Sequence, residues 1–284
     1  MNKPTMKRAK GYGLEIQTAE WAGSGEPVLC IHGLTANCLC FGVIAQELTP
    51  KHSVLAVDLR GRGLSDKPGT GYSIDHHCRD IEAVMDDLGL DAVNLLGHSL
   101  GGYISLALAA RRPERVRRLI LMDAGAQLTV EQWIKVGEAI KPSLDRLVQR
   151  FPTFEAYVEN LKKMAYLNPW SQAIEDYFRY ECEEVNGVFQ SRIKPENIQE
   201  ERENLAVTDT AQYYSHIHCP VLVLRATQGM TSPDELVLPE DALPGLKKAL
   251  PQARIVSLAG TNHYSIVFQP NEERTRALKE FLSE

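Results

Sequence analysis

The sequence predicts an α/β protein built on an eight-stranded, mostly parallel sheet, and three observations carry that reading. Short apolar runs alternate with stretches of helical length along most of the chain. A Gly-x-Ser-x-Gly motif, Gly97-His98-Ser99-Leu100-Gly101, stands between the apolar run Ala92 to Leu96 and an Ala- and Leu-rich segment. From about Gln127 to Tyr214 the strand pattern is lost and helices alone are expected.

In order, Thr5 to Lys10 and Leu14 to Glu20 flank Gly11-Tyr12-Gly13 and read as an opening hairpin. Strands are expected near 28–32, 53–57, 92–97, 116–122, 220–225 and 254–258. A helix over 74–88 has Ser73 as its cap and Gly89 as its terminator. Leu100 to Ala110 is the helix behind the serine motif. Between the sixth and seventh strands lie many large side chains, among them Trp133, Tyr166, Trp170 and Tyr177, and Thr129-Val130-Glu131-Gln132 reads as a capping box.

Composition narrows the function classes. With 31 basic against 37 acidic residues the net charge is -6, which leaves no electrostatic footprint for nucleic acid. Met1 to Arg8 has no apolar signal-peptide core, and no window approaches a membrane span. The expectation is a soluble cytoplasmic protein with a small-molecule substrate and neither a nucleic-acid nor a membrane partner, either a monomer or a homodimer. Six cysteines fit a reducing compartment, with Cys30 and Cys219 acting as small hydrophobes in or beside core strands. His216-Ile217-His218-Cys219 and Asp75-His76-His77-Cys78 lack paired ligand spacing, so no metal is expected.

The serine motif carries the chemistry. Squeezing Ser99 between strand and helix forces its backbone into a strained region, and the flanking glycines let the two elements approach. Its hydroxyl should stand exposed above the sheet edge, with helix N–H groups aimed where an oxyanion forms. Far upstream, Pro27-Val28-Leu29-Cys30-Ile31-His32-Gly33 runs a buried strand into the loop Leu34-Thr35-Ala36-Asn37, and Asp58-Leu59-Arg60-Gly61-Arg62-Gly63-Leu64-Ser65 follows the strand Ser53 to Val57. In this order the motifs resemble the α/β-hydrolase family over about residues 10–124 and 211–284.

That resemblance implies a core of residues 1–126 and 211–284 and a helical cap of residues 127–210, inserted between strands six and seven, that lines the substrate cavity and excludes water. It implies an oxyanion hole from the N–H groups of Leu34 and Leu100, and a general base at His263, in the loop after the last strand. His32 and His98 belong to the His-Gly and Gly-His-Ser motifs and read as structural or rim residues. The family's usual acid position after the seventh strand falls near Gly229, where no carboxylate stands. The candidate acid is therefore Asp123, at the end of the sixth strand and 24 residues beyond Ser99, a spacing seen in relatives that carry their acid there. Asp234 and Glu235 are runners-up, although Ser232-Pro233-Asp234-Glu235 also resembles a helix start; Asp58 is more remote. Among cap residues, Trp133, Tyr166 and Trp170 are the candidates for substrate contact.

Family members that form alkyl-enzymes attack through aspartate, and Ser99 occupies that position here. Serine, imidazole and oxyanion hole point to acyl transfer without a cofactor: hydrolysis of a carboxylic ester or lactone through an acyl-enzyme. The same groups serve an amidase or a C–C bond hydrolase, and the empty position after strand seven also leaves open a non-catalytic ligand receptor on the hydrolase fold.

Overall fold

In the computed structural model, which describes residues 3–233 and 235–284, the opening hairpin pairs β1 (Thr5–Lys10) with β2 (Glu15–Trp21). There follow β3 (Val28–Ile31), α1 (Gly42–Leu48), β4 (Val54–Val57), α2 (Ile74–Asp87), β5 (Val93–His98), α3 (Leu100–Arg111) and β6 (Val116–Met122). After a long insert come β9 (Val221–Ala226), α10 (Leu243–Ala249), β10 (Arg254–Leu258), α11 (Ser265–Phe268) and α12 (Glu272–Ser283). The sheet has eight strands in the order β1-β2-β4-β3-β5-β6-β9-β10, antiparallel through the first two pairs and parallel beyond.

Each central strand is buried on both faces, which is why it reads as an unbroken apolar run. Leu29, Ile31, Leu95, Leu119, Leu121 and Val223 face the side covered by α2 and α3. Their neighbours Val28, Cys30, Leu96, Ile120, Met122 and Leu224 face the side covered by α1 and α12. At about 1.5–3 kcal/mol for each large apolar side chain taken out of water, these two layers fix the register that positions the strand ends. The six cysteines are free thiols.

The insert holds α4 (Val130–Ala139), α5 (Lys141–Arg146), α6 (Phe154–Lys162), α7 (Gln172–Glu181), β7 (Cys182–Val185), β8 (Val188–Ser191), α8 (Pro195–Ala206) and α9 (Ala211–Tyr214). The predicted capping box is formed: Thr129 accepts from Gln132 N–H at 3.2 Å while the Gln132 side chain accepts from Thr129 N–H at 2.8 Å. The expectation of helices alone fails at β7 and β8, an antiparallel hairpin closed by Asn186-Gly187. Both turn residues have positive φ, 52° and 77°, the geometry in which a two-residue turn follows the strand twist. Among the described residues no helix is long and apolar enough to cross a membrane, and no cluster of His, Cys, Asp and Glu is arranged to hold a metal ion.

Candidate active site

Three strand ends converge on one cavity. β5 ends at His98, Ser99 takes φ 57° and ψ -123°, and α3 begins at Leu100. The strain is held from both sides: Ser99 N–H donates to the Met122 carbonyl at 3.1 Å, and the Ser99 carbonyl accepts from Gly102 N–H at 2.9 Å. A Cβ on Gly97 would lie 2.2 Å from the Gly101 carbonyl oxygen, and one on Gly101 would lie 2.0 Å from that of Ile31. Only glycine permits that approach, and the half-buried Ser99 is left on the cavity wall.

Asp123, directly after β6, has φ 50°. Its N–H donates to the Leu224 carbonyl at 2.7 Å, and its Oδ1 accepts from Ala226 N–H at 3.1 Å, so β9 fixes both backbone and side chain. The other oxygen, Oδ2, lies 2.7 Å from Nδ1 of His263, in the loop between β10 and α11. Asp123 is 1% exposed and His263 6%. A carboxylate at Nδ1 draws the proton to that nitrogen and leaves Nε2 with its lone pair.

The other acids have different surroundings. Glu235 accepts from Ser232 N–H at 3.1 Å and from the Thr231 hydroxyl, closing a local turn. No helix starts at Ser232, contrary to the sequence reading. Val237 and Leu238 are buried, Pro239 disfavours a helical backbone at Leu238, and the helix is deferred to Leu243. Asp234 lies outside the described residues. Asp58 is fully buried and accepts from Cys38 N–H, Leu64 N–H and the Tyr180 hydroxyl at 2.8, 2.9 and 2.6 Å, which occupies it as a loop anchor.

The cavity is small, about 80 Å³. Gly33, Leu34, His98, Ser99, Leu100 and His263 form its core wall, and Trp133, Val136, Ile140, Ser143, Tyr177 and Leu205 its cap wall. Trp133 thus lines it. Tyr166 and Trp170 do not: Tyr166 packs behind Tyr264 with ring centroids 4.9 Å apart, and Trp170 stacks on Phe178. Ser143, Tyr177 and Tyr264 reach the cavity without having been candidates for substrate contact, because the way the helices cross decides which of several side chains look inward.

Leu34 and Leu100 line the same wall, and among the described residues neither N–H makes a backbone hydrogen bond. Buried His32 braces the first: Nδ1 lies 2.7 Å from the carbonyl of Gly33, whose peptide carries the Leu34 N–H, and Nε2 accepts from Leu59 N–H at 3.0 Å. Burial pushes the His32 pKa down to about 4, so it braces as a neutral ring. His98 packs its ring 4.4 Å from that of His263, and Nε2 lies 3.0 Å from the His263 carbonyl, to which it donates. Burial, then repulsion from His263, holds the His98 pKa well below the ordinary range. A neutral donor therefore braces the loop of the candidate base.

Comparison with known proteins agrees with this architecture. A sequence model of the alpha/beta hydrolase fold matches residues 26–270. A 2-(acetamidomethylene)succinate hydrolase of Mesorhizobium japonicum is 27% identical over 260 residues, 92% of this chain and 89% of that protein. The crystal structure of an E-2-(acetamidomethylene)succinate hydrolase superposes with a TM-score of 0.87 at 26% identity, covering 99% of this chain and all of the other. A 2-hydroxy-6-oxo-2,4-heptadienoate hydrolase of Pseudomonas putida is 31% identical over 163 residues, about half of each chain.

Proposed function

The chain belongs to the α/β-hydrolase fold family, several of whose similar members are hydrolases, and from that premise we propose that it is a serine hydrolase of small carboxylic esters or lactones. The reading rests on one observation above the rest: the 2.7 Å contact between Asp123 Oδ2 and His263 Nδ1, made on the cavity that Ser99 lines. In the proposed mechanism His263 Nε2 takes the Ser99 proton as Oγ attacks the substrate carbonyl. The Leu34 and Leu100 N–H groups hold the oxyanion, and Asp123 stabilises the imidazolium. His263 then gives that proton to the departing alkoxide, leaving an acyl-Ser99 ester. Water, deprotonated by the same nitrogen, attacks the acyl carbon and releases the acid and free serine. Residues 127–210 act as a cap that keeps bulk water from the cavity.

A second reading has its own support. The whole-length relative is named for an acetamidomethylene substrate, so hydrolysis of an amide by the same steps, with nitrogen as leaving group, is the alternative. Steady-state hydrolysis of a short p-nitrophenyl ester, a five-membered lactone and an N-acetyl enamide, by wild type and Ser99→Ala, decides between them. Ser99-dependent turnover of ester or lactone supports the first reading, and turnover of the enamide alone replaces it with the second. Folded wild type inert on all three turns the assignment toward a narrow-substrate hydrolase, a C–C bond hydrolase among them, or a receptor.

A further inference from the structure

Behind the cap wall lies a charge that never reaches the cavity. No Asp, Glu, Lys or Arg is among the described residues that line it. One layer back, Arg146 at the end of α5 is buried, and its Nη2 lies 3.4 Å from the carbonyl of Thr35, a lining residue. The hydroxyl of Tyr177, which also lines the cavity, donates to the same carbonyl at 3.4 Å. Glu181, at the end of α7, meets Arg146 Nη1 at 2.5 Å, with 4% and 1% of the two side chains exposed. Tyr157 and Ser191 donate to the Glu181 oxygens, and Tyr157 accepts from Arg146 Nη1 at 2.8 Å. The cluster is neutral as a unit and closed on itself.

We propose that Glu181 is a specificity-determining residue: by neutralising Arg146 it restricts the cavity to substrates whose acyl group carries no charge. The proposal rests on the serine-hydrolase reading and deepens it. A carboxylate drawn into this cavity would leave its water behind and find hydroxyls, amides, the imidazoles of His98 and His263 and apolar side chains, but no Lys or Arg among the described residues. The guanidinium that could receive it is already matched by Glu181. An acyl group of the same shape ending in methyl pays no such desolvation. The selection is therefore electrostatic, and one change of charge should move it.

The test compares ethyl butyrate with monoethyl succinate, which differ by a carboxylate in place of the terminal methyl, using kcat/KM from acid release. Wild type should prefer butyrate by roughly 100-fold or more, the order expected when a polar substrate group meets no partner. Glu181→Gln keeps one acceptor oxygen for Tyr157 or Ser191, the other hydroxyl turning to accept from the amide N–H, while it frees the Arg146 charge, and the attraction reaching the cavity should narrow that preference at least ~10-fold. The preference is a ratio within one sample, so partial unfolding of the variant does not move it. Glu175→Gln, on an exposed face of the same helix, is the control and should leave it unchanged. Equal rates on the two esters, or a ratio unmoved in folded Glu181→Gln, overturns the proposal. Calorimetric binding of butyramide against succinamate to Ser99→Ala protein reads the same discrimination without turnover. Absence of ester turnover thus counts against the serine-esterase reading, and equal binding of the two amides counts against this one.

Discussion

On the core side of the cavity, Ser99 and Asp123 are held by backbone: each sits at positive φ at a strand end, and each is tied to the neighbouring strand by a main-chain hydrogen bond. On the cap side, polar side chains are held by other side chains. Arg146 is held by Glu181, and Glu201 of α8 holds Arg62 of the core at 2.6 Å, the arginine donating to the Leu34 carbonyl at 3.1 Å. The difference teaches where strain and charge are supported. Eight strands in register over-determine the reacting atoms, so the core wall can lose a side-chain function and keep its shape. The cap wall has no sheet beneath it, and removing one member of a buried ion pair removes part of the fold.

The largest effect should come from the core wall. Ser99→Ala and Asp123→Asn are each expected to lower kcat by about 10³-fold or more while the melting temperature stays close to wild type. Glu235→Gln should leave kcat unchanged. An active Asp123→Asn, or an inactive but folded Glu235→Gln, would break the comparison at its strongest point.

The cap should show the reverse. Glu201 also meets His77 Nε2 at 2.9 Å, and Glu201→Gln leaves Arg62 buried without its partner; a loss of about 3 kcal/mol is expected from thermal or urea unfolding, with kcat changed by a few-fold at most. Burial pushes the Glu201 pKa up, but the attraction of His77 and Arg62 and their hydrogen bonds outweigh it and hold it at about 2, against 4.5 for a free side chain. A carboxylate depressed in the folded state contributes stability that is present above 4.5 and lost as pH falls towards 2. Wild type should therefore destabilise across that window, and the variant should show a flatter profile there.

Smaller effects sharpen the boundary between the walls. His98→Phe keeps a ring beside His263 and removes the donor to its carbonyl; kcat should fall about 10-fold with KM little changed. Trp133→Ala enlarges the cavity on the cap side and should raise KM a few-fold with a modest fall in kcat, read from the same steady-state series.

Much of the core wall was legible in the sequence because short-range rules govern it. A strand, two glycines around a serine and a helix can fold locally in few ways, and a missing acid after the seventh strand directs attention to Asp123. The hairpin Cys182–Ser191 was legible too, since Asn186-Gly187 between apolar residues is a turn signal, but the surrounding helical pattern obscured it. The buried ion pairs were not. Arg62 and Glu201 are 139 residues apart, and nothing in either neighbourhood separates them from charges that face solvent. Cap aromatics fared the same way: Trp133 turns inward and Trp170 stacks on Phe178, a choice made by helix crossing and not by residue type.

Covalent trapping tests the central claim most directly, because it needs no knowledge of the substrate. Wild type treated with a small fluorophosphonate and mapped by peptide mass spectrometry should carry a single adduct on Ser99. Asp123→Asn should be labelled at least ~100-fold more slowly and Glu235→Gln at the wild-type rate. An adduct at another residue, or Asp123→Asn protein labelled as fast as wild type, would contradict the account.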